Sequence, residues 1–183
     1  MMDVVNFIAQ LDEEPDLHAI RLLILISAFS DLSCNGSIDG LTKLAKLDFL
    51  LRYPVMLERA LIAKGKTTKG VDVEEHEVSS VESQMVRYRF GPWDHRYRGI
   101  LNILVAKALV KVEVEGRKVL ISLTEDGRHL ALESSKMEEF RDYARRSDIL
   151  KRNFDIKATS LMNFIYQNFP EVLSLRSNQR IPT

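Results

Sequence analysis

Residues 110–132 read VKVEVEGRKVLISLTEDGRHLAL, a pattern that predicts a β-hairpin running directly into a helix. Apolar residues recur with a period of two on both sides of a turn at Gly116: Val112, Val114, Val119, Ile121 and Leu123. Thr124 stands at the start of the helix, where its hydroxyl can accept a hydrogen bond from an amide of the first turn. Glu125 and Asp126 follow at the helix end whose dipole favours carboxylates.

Helical patterns precede this hairpin. Residues 17–32 are apolar around most of the helical circumference, which predicts a helix covered on nearly all sides. The sequence from Leu41 onward predicts two more helices, and Pro54 fits the first turn of the second. Three helices followed by a hairpin are the order of a winged helix. We therefore predict a mostly α fold with a small β-hairpin (α+β), consisting of a winged helix-turn-helix core with additional C-terminal helices.

The domain organisation follows from the same patterns. We expect residues 1–134 to form the winged-helix domain, with an inserted polar loop at 65–80 that is exposed and mobile. Residues 135–175 form a C-terminal helical extension in this prediction, with helices at about 136–150 and 157–168. Residues 176–183 are predicted to be a frayed tail.

The segment between the polar loop and the hairpin has a pattern of its own. Residues 85–90 alternate as a strand, which Gly91 and Pro92 are expected to break. Asp94 is expected to cap a helix that covers about residues 95–108.

Composition limits the function classes. Lys+Arg and Asp+Glu are both 26, so the formal charge is zero, and any grip on nucleic-acid phosphates must be local. Two basic segments, 41–70 and 83–118, flank the acidic residues 71–82.

The lone Cys34 excludes an internal disulfide and a thiolate-rich zinc site. The acidic N-terminus does not resemble a secretion signal, and the most apolar run, 20–29, is shorter than the roughly 20 residues of a membrane span. We predict a cytoplasmic protein without membrane contact.

No catalytic constellation emerges from the sequence. The four histidines lack metal-ligand spacing on a helical face, and no glycine-rich phosphate loop is present. We therefore expect a non-enzyme that needs no cofactor and no metal. A free-standing enzyme is the function class with the least support.

Residues 87–98, RYRFGPWDHRYR, are the first candidate binding site because arginines alternate with aromatic residues. This combination suits base stacking with phosphate contacts or a protein interface. The alternative is that the aromatic residues pin a corner into the core while the arginines pair with nearby acids, and both interpretations remain open. The candidates are Arg87, Arg89, Trp93, Arg96, Tyr97 and Arg98.

The second candidate surface consists of Lys43, Lys46, Arg52 and Arg59. In a DNA-reading winged helix, the second and third helices face the duplex. The third helix as placed here, 54–64, offers mostly apolar side chains and few donors for base edges. Sequence-specific DNA reading is therefore disfavoured, whereas nonspecific phosphate contact is not.

Three strings carry a family resemblance: TKLAKLDFLLRYP (42–54), FGPWDHRYRGIL (90–101) and ISLTEDGRHLA (121–131). The chain resembles the small middle-component proteins of bacterial ABC-three-component systems, with the small subunit of Lamassu-type anti-phage defence as the nearest type. The resemblance spans about residues 17–170. It implies a non-catalytic adaptor subunit that joins an SMC-like ABC ATPase to an effector subunit, often a nuclease, in a complex triggered by foreign or damaged DNA.

A transcriptional regulator of the MarR or PadR type is the alternative function. It would use the same winged-helix fold, with the helices of 136–168 forming a homodimer. Specific binding to its own promoter would distinguish it from the adaptor subunit.

Overall fold

A computed structural model of the chain describes residues 15–30, 36–79, 85–88 and 91–182. The helices are α1 (Pro15–Ala28), α2 (Gly40–Arg52), α3 (Pro54–Ala63), α4 (Glu75–Ser79), α5 (Tyr97–Ala106), α6 (Glu125–Ser134), α7 (Arg141–Phe154), α8 (Ala158–Asn168) and α9 (Pro170–Ser174), with a 3-10 turn at Glu138–Phe140 before α7. The strands are β1 (Ile38–Asp39), β2 (Val86–Tyr88), β3 (Gly91–Trp93), β4 (Val110–Glu115) and β5 (Lys118–Leu123). The predicted fold class, mostly α with a small β part, is confirmed. No helix in the described part of the chain is both long and apolar enough to cross a membrane.

The predicted hairpin is β4–β5, and it belongs to an antiparallel sheet of order β1-β5-β4. Gly116 occupies its turn with a φ of +62°, a conformation that glycine adopts without strain. Ile121 has Ile38 on one side and Val112 on the other, and the next pair outward joins Val114 to Val119. One face of the sheet is therefore apolar from the core to the tip of the hairpin.

A second, two-stranded sheet corrects the prediction for residues 85–92. Gly91 and Pro92 do not end the strand pattern, because Gly91–Trp93 pairs with Val86–Tyr88 as β3 and β2. Gly91 has a φ of +99°, which favours glycine where the chain enters β3. Asp94 is not the N-cap residue that the sequence predicts. Helix α5 begins at Tyr97, so its N-cap residue is Arg96, whose side chain makes no capping hydrogen bond.

Thr124 caps α6 as predicted. Its hydroxyl accepts a hydrogen bond from the Gly127 amide at 3.0 Å and donates one to the Ala108 carbonyl at 2.6 Å. Gly127 lies against the backbone of Leu109, where a Cβ would stand 1.9 Å from the carbonyl oxygen. The start of α6 is thus fixed to the start of the hairpin at a position that accepts no side chain.

Two helices form the centre of the core. In α1, most residues from His18 to Ile26 are buried, as predicted for a helix covered on nearly all sides. In α2, every residue from Lys43 to Arg52 is buried, because this helix packs against α7, α8 and the strands β1, β3 and β5. The helix directly before the hairpin is α5, so α3 does not hold the position of the third helix of the prediction.

The polar loop at 65–80 is predicted to be exposed and mobile, but the structure anchors part of it to the rest of the fold. Val71 is fully buried. The buried guanidinium of Arg146 donates to the carbonyls of Val71 at 2.9 Å and Asp72 at 3.0 Å, and it forms a bidentate pair with Glu77 at 2.7 Å. Most other side chains of the segment are exposed, as predicted.

The prediction of a frayed tail is wrong for the described residues up to 182. Ile181 is fully buried, and its amide donates to the Met85 carbonyl at 2.8 Å. The Tyr53 hydroxyl donates to the Ile181 carbonyl at 3.0 Å and accepts from the Met85 amide at 2.9 Å. The tail therefore closes over β2 and forms part of the folded unit.

The close approach at Gly127 generates a stability prediction. Gly127→Ala places a methyl group into the Leu109 carbonyl, and we expect it to lower the free energy of unfolding by about 1–3 kcal/mol. Gly99→Ala is the matched control, since Gly99 is exposed in α5 with no atom within 4 Å of the added Cβ. It should raise stability by about 0.5–1 kcal/mol through its better helix propensity. Urea unfolding of both variants checks this, and an unchanged Gly127→Ala variant would contradict the packing of α6 on the hairpin.

Candidate functional site

A fully buried carboxylate, Asp48 of α2, accepts hydrogen bonds from three elements. Its Oδ1 accepts from Arg21 Nε of α1 at 3.0 Å. Its Oδ2 accepts from Arg52 Nε at 2.8 Å and from the Tyr97 hydroxyl of α5 at 2.7 Å. The four side chains lie in the protein interior, with at most 1% of either guanidinium side chain exposed.

Asp94 extends this arrangement towards the surface. Its carboxylate accepts from Arg52 NH1 at 2.8 Å, and it accepts from both the backbone amide and the guanidinium of Arg96 at 2.9–3.0 Å. The imidazole of His18 lies between Arg21 NH1 at 2.8 Å and Arg96 NH1 at 2.9 Å. We call this set the Asp48 network: His18, Arg21, Asp48, Arg52, Asp94, Arg96 and Tyr97.

The charges of the Asp48 network shift the pKa values of Asp48, Asp94 and Tyr97. Burial by itself would raise the pKa of Asp48, but the charges of Arg21 and Arg52 outweigh it and lower the pKa to about 2. The pKa of Asp94 is lowered in the same way, against its burial, by hydrogen bonds from Arg96 and the charge of Arg52. Burial and the neighbouring Asp48 raise the pKa of the Tyr97 phenol. Ionised carboxylates and a protonated phenol suit a structural role more than proton transfer.

Three of the predicted binding residues, Arg52, Arg96 and Tyr97, therefore come together in the Asp48 network. Arg52 and Tyr97 are buried, so the structure does not place them at the surface where a partner or DNA would bind. Arg96 keeps 41% of its side chain exposed, but its guanidinium is bound to Asp94. Trp93 is half-buried and packs edge-on against Tyr97, with ring centroids 5.5 Å apart. Within the corner, Arg96 pairs with an acid, Asp94, as the alternative interpretation expects, whereas Arg98 stays exposed, so both interpretations remain open.

The second predicted surface, Lys43, Lys46, Arg52 and Arg59, is also corrected. Lys43 is 5% exposed and donates to Asp155 at 2.9 Å. Lys46 is 1% exposed, and burial lowers its pKa to about 8. Arg59 is exposed, but it pairs with Glu171 at 2.6 Å and stacks over the Phe169 ring. Lys43, Lys46 and Arg52 are buried because α2 is covered on all sides, whereas Arg59 of α3 is exposed and binds an acid.

Of the remaining candidates, Arg87 is half-buried in β2, and its backbone pairs with Asn178 and Gln179 of the tail. Arg89 lies outside the described residues. Arg98 is exposed on α5, directly after Tyr97 of the Asp48 network. It borders a groove that the candidate surfaces did not include.

This groove runs along the apolar face of the hairpin. One part, of about 300 Å³, lies between α5 and the sheet and is lined by Leu41, Arg98, Leu101, Asn102, Val105, Val112, Val119 and Ile121. It continues past Leu41 and Val119 into a larger part of about 700 Å³, lined also by Asp39, Gly40, Thr42, Arg117, Lys118, Lys157, Ala158 and Thr159. We call the two parts together the hairpin groove.

The hairpin groove combines an apolar floor with a basic rim. Val105 and Val112 are each 43% exposed and Val119 is 38% exposed, so aliphatic surface faces solvent. The charged side chains of the lining are Arg98, Arg117, Lys118, Lys157 and one acid, Asp39. Such a groove suits an apolar segment that carries carboxylates nearby.

The sequence contained a signal for the hairpin groove. The alternation of Val112 and Val119 with charged residues predicts one apolar face of the hairpin, but it does not show whether the core covers that face. The core ends at Ile121, which is fully buried, whereas Val112 and Val119 lie beyond it. The bases Arg117, Lys118 and Lys157 come from two distant parts of the chain, and only the fold brings them to one rim.

Residues 37–147 match the family described as Middle Component 4 of ABC-three component (ABC-3C) systems. The chain belongs to this family. The match covers β1, the hairpin and α5, and thus most of the lining of the hairpin groove, and it confirms the resemblance to middle components. No curated protein and no solved structure matches the chain.

In the part of the chain that the structure describes, no group of three or more His, Cys, Asp or Glu residues could hold a metal ion.

The burial of Asp48 generates a second stability prediction. Asp48→Asn keeps the shape of the side chain but removes the charge that compensates Arg21 and Arg52. We expect it to lower the free energy of unfolding by about 3–5 kcal/mol, because it leaves buried guanidinium charges undercompensated. Glu133→Gln, which removes an exposed carboxylate that pairs with Lys136, is the matched control and should change little. Denaturant unfolding at neutral pH measures both.

The pKa of Asp48 gives this prediction a pH dependence. The folded-state value of about 2 lies below the ordinary 3.8, so the stabilisation is fully present above 3.8 and is lost as the pH falls towards 2. The shift corresponds to about 2 kcal/mol from this group. Asp48→Asn should lose less stability than the wild type over this pH window. Parallel acid-unfolding curves for the two proteins would contradict the assignment.

Proposed function

We propose that this chain is a non-catalytic accessory subunit of its ABC-three-component system, and that it bridges an SMC-like ATPase to an effector subunit, such as a nuclease, through the hairpin groove. The observation that carries the proposal is the family match over residues 37–147, which contains most of the groove. A middle component acts with other subunits. The hairpin groove is the described surface in which aliphatic side chains and bases lie together, as expected of an interface with another protein.

The strand order supports a winged-helix arrangement within this proposal. β1 pairs with β5, β5 pairs with β4, and α5 directly precedes β4. In this arrangement α5 holds the position of the recognition helix and β4–β5 is the wing. The exposed face of α5 presents Asn102, Ile103 and Val105 beside Arg98. This helix therefore offers few hydrogen-bond donors for reading base edges. This composition favours docking on protein over sequence-specific DNA binding.

DNA contact, in this proposal, is local and nonspecific. The rim residues Arg98, Arg117, Lys118 and Lys157 are the described bases that would meet phosphates there. DNA retention through these contacts would weaken steeply with added salt because counterions are released. Docking on a desolvated protein surface would respond much less.

A binding experiment tests the proposal with the other subunits of the same system. Arg98→Glu and Lys157→Glu reverse two rim charges, and we expect the double variant to bind the other subunits at least about tenfold more weakly, since each reversal turns an attraction to carboxylates into a repulsion. Arg141→Glu is the matched control: Arg141 is exposed at the N-terminus of α7, as Lys157 is at that of α8, and it lies outside the groove lining.

The comparison is made by calorimetry or surface binding with subunits purified separately. The double variant and the control should melt at the same temperature as the wild type, since Arg98, Lys157 and Arg141 are all exposed. Full binding by the folded double variant would contradict docking through the hairpin groove. Turnover of ATP or DNA by the purified chain, abolished by a single substitution in it, would contradict the non-catalytic role.

A further inference from the structure

Strand β4 is an edge strand with a free ladder on its outer side. In the described residues its pairing partner is β5, and the sheet order ends at β4. The amide of Thr124 donates to the carbonyl of Leu109 at 3.1 Å, in register with the ladder that pairs Val110 with Leu123. Hydrogen-bonded pairs alternate along an antiparallel ladder. The backbone amides and carbonyls of Leu109 and of every second residue after it therefore point inward and hydrogen-bond to the other strand of the hairpin.

The intervening residues, Val110, Val112 and Val114, consequently direct their backbone amides and carbonyls outward. The strand they belong to is six residues long, and Val112 and Val114 are 43% and 71% exposed. An exposed edge of this kind is a template for another strand. Charged side chains commonly oppose such pairing, so the order of the charges decides what the edge accepts.

The charges of β4 are self-complementary in one antiparallel register. With a two-fold axis at Val112, each Val112 faces its copy in an outward hydrogen-bonded pair, and Val110 faces Val114 of the second copy. Lys111 then faces Glu113 of the second copy, and this ion pair occurs twice. The neighbouring register, centred at Glu113, also forms two Lys111–Glu115 pairs, but it places two Glu113 carboxylates opposite each other and is therefore less favourable than the register centred at Val112, which contains no like-charge pair.

Among the residues that the structure describes, neither of these charges has an opposite charge directly across the sheet. Lys111 pairs with Ser122 and Glu113 pairs with Leu120. The two side chains can therefore form cross-strand ion pairs with a second copy without giving up an ion pair across β5. The same pairing would cover Val114, the most exposed residue of the apolar face.

We propose that a second copy of this chain pairs with β4 edge to edge, in antiparallel register about Val112, to form a symmetric dimer. The contact is short, so the dimer is weak and its population rises with protein concentration. It joins the two hairpins into one continuous sheet. Both hairpin grooves then lie on one dimer, although the pairing does not depend on what the grooves bind.

Charge reversal in the full-length chain tests the dimer by sedimentation equilibrium over a range of protein concentrations. Lys111→Glu and Glu113→Lys, made singly, should each raise the dissociation constant of the dimer by about tenfold or more, since each creates two like-charge pairs. The double variant Lys111→Glu/Glu113→Lys restores both ion pairs in the opposite sense and should dimerise like the wild type.

Glu115→Lys is the control for register. In the proposed pairing Glu115 faces Leu109 of the second copy, so the Glu115→Lys variant should dimerise normally. In the register centred at Glu113, residue 115 would face Lys111 of the second copy, and the same variant would dimerise more weakly. Thermal melting confirms that each variant is folded. A wild type that stays monomeric at every concentration overturns the proposal, as does a double variant that folds but does not recover dimerisation. Single variants that dimerise like the wild type overturn it as well.

Discussion

The buried carboxylate of Asp48 fixes how three helices of this protein meet. A charge inside a protein is tolerated only where partners and hydrogen bonds replace the lost water. Asp48 of α2 finds them in Arg21 of α1 and in Tyr97, the first residue of α5. These helices can therefore pack only in the arrangement that brings a guanidinium and a phenol to one carboxylate. Because α5 leads directly into β4, the same interaction sets where the hairpin projects from the core.

The core ends part-way along the hairpin, and this leaves the apolar surface that we propose as the docking site. Ile121 is fully buried, but the apolar face continues outward to Val112 and Val119, which remain partly exposed. Covering these valines would need another element of the chain, and in the described residues none lies over them. A surface that is apolar in its floor and basic at its rim fits a family whose members act with other subunits. The Asp48 network thus contributes to function by holding α5 and the hairpin in place.

Local patterns predicted the longer helices and the hairpin, but they did not predict which charges are buried. The hairpin turn at Gly116 and the cap at Thr124 depend on neighbouring residues only, and both are as predicted. Lys43 looks like part of the solvated face of a helix, because its partner, Asp155, lies far away in the sequence. Arg52 likewise has a distant partner, Asp94, besides Asp48 on its own helix. The docking of Ile181 is equally nonlocal. In the corner at 87–98, Arg96 pairs with Asp94 as the structural interpretation expects, whereas Arg98 lines the hairpin groove, so each interpretation is supported by a different arginine.

The central claim is that other subunits of the system dock on α5 and the hairpin. Hydrogen exchange of the chain, measured alone and in its complex with those subunits, tests this most directly. The account predicts added protection in residues 97–123, and little change in α7, whose amides already lie in a helix packed against α1 and α2. A complex that forms without added protection in residues 97–123 would contradict it.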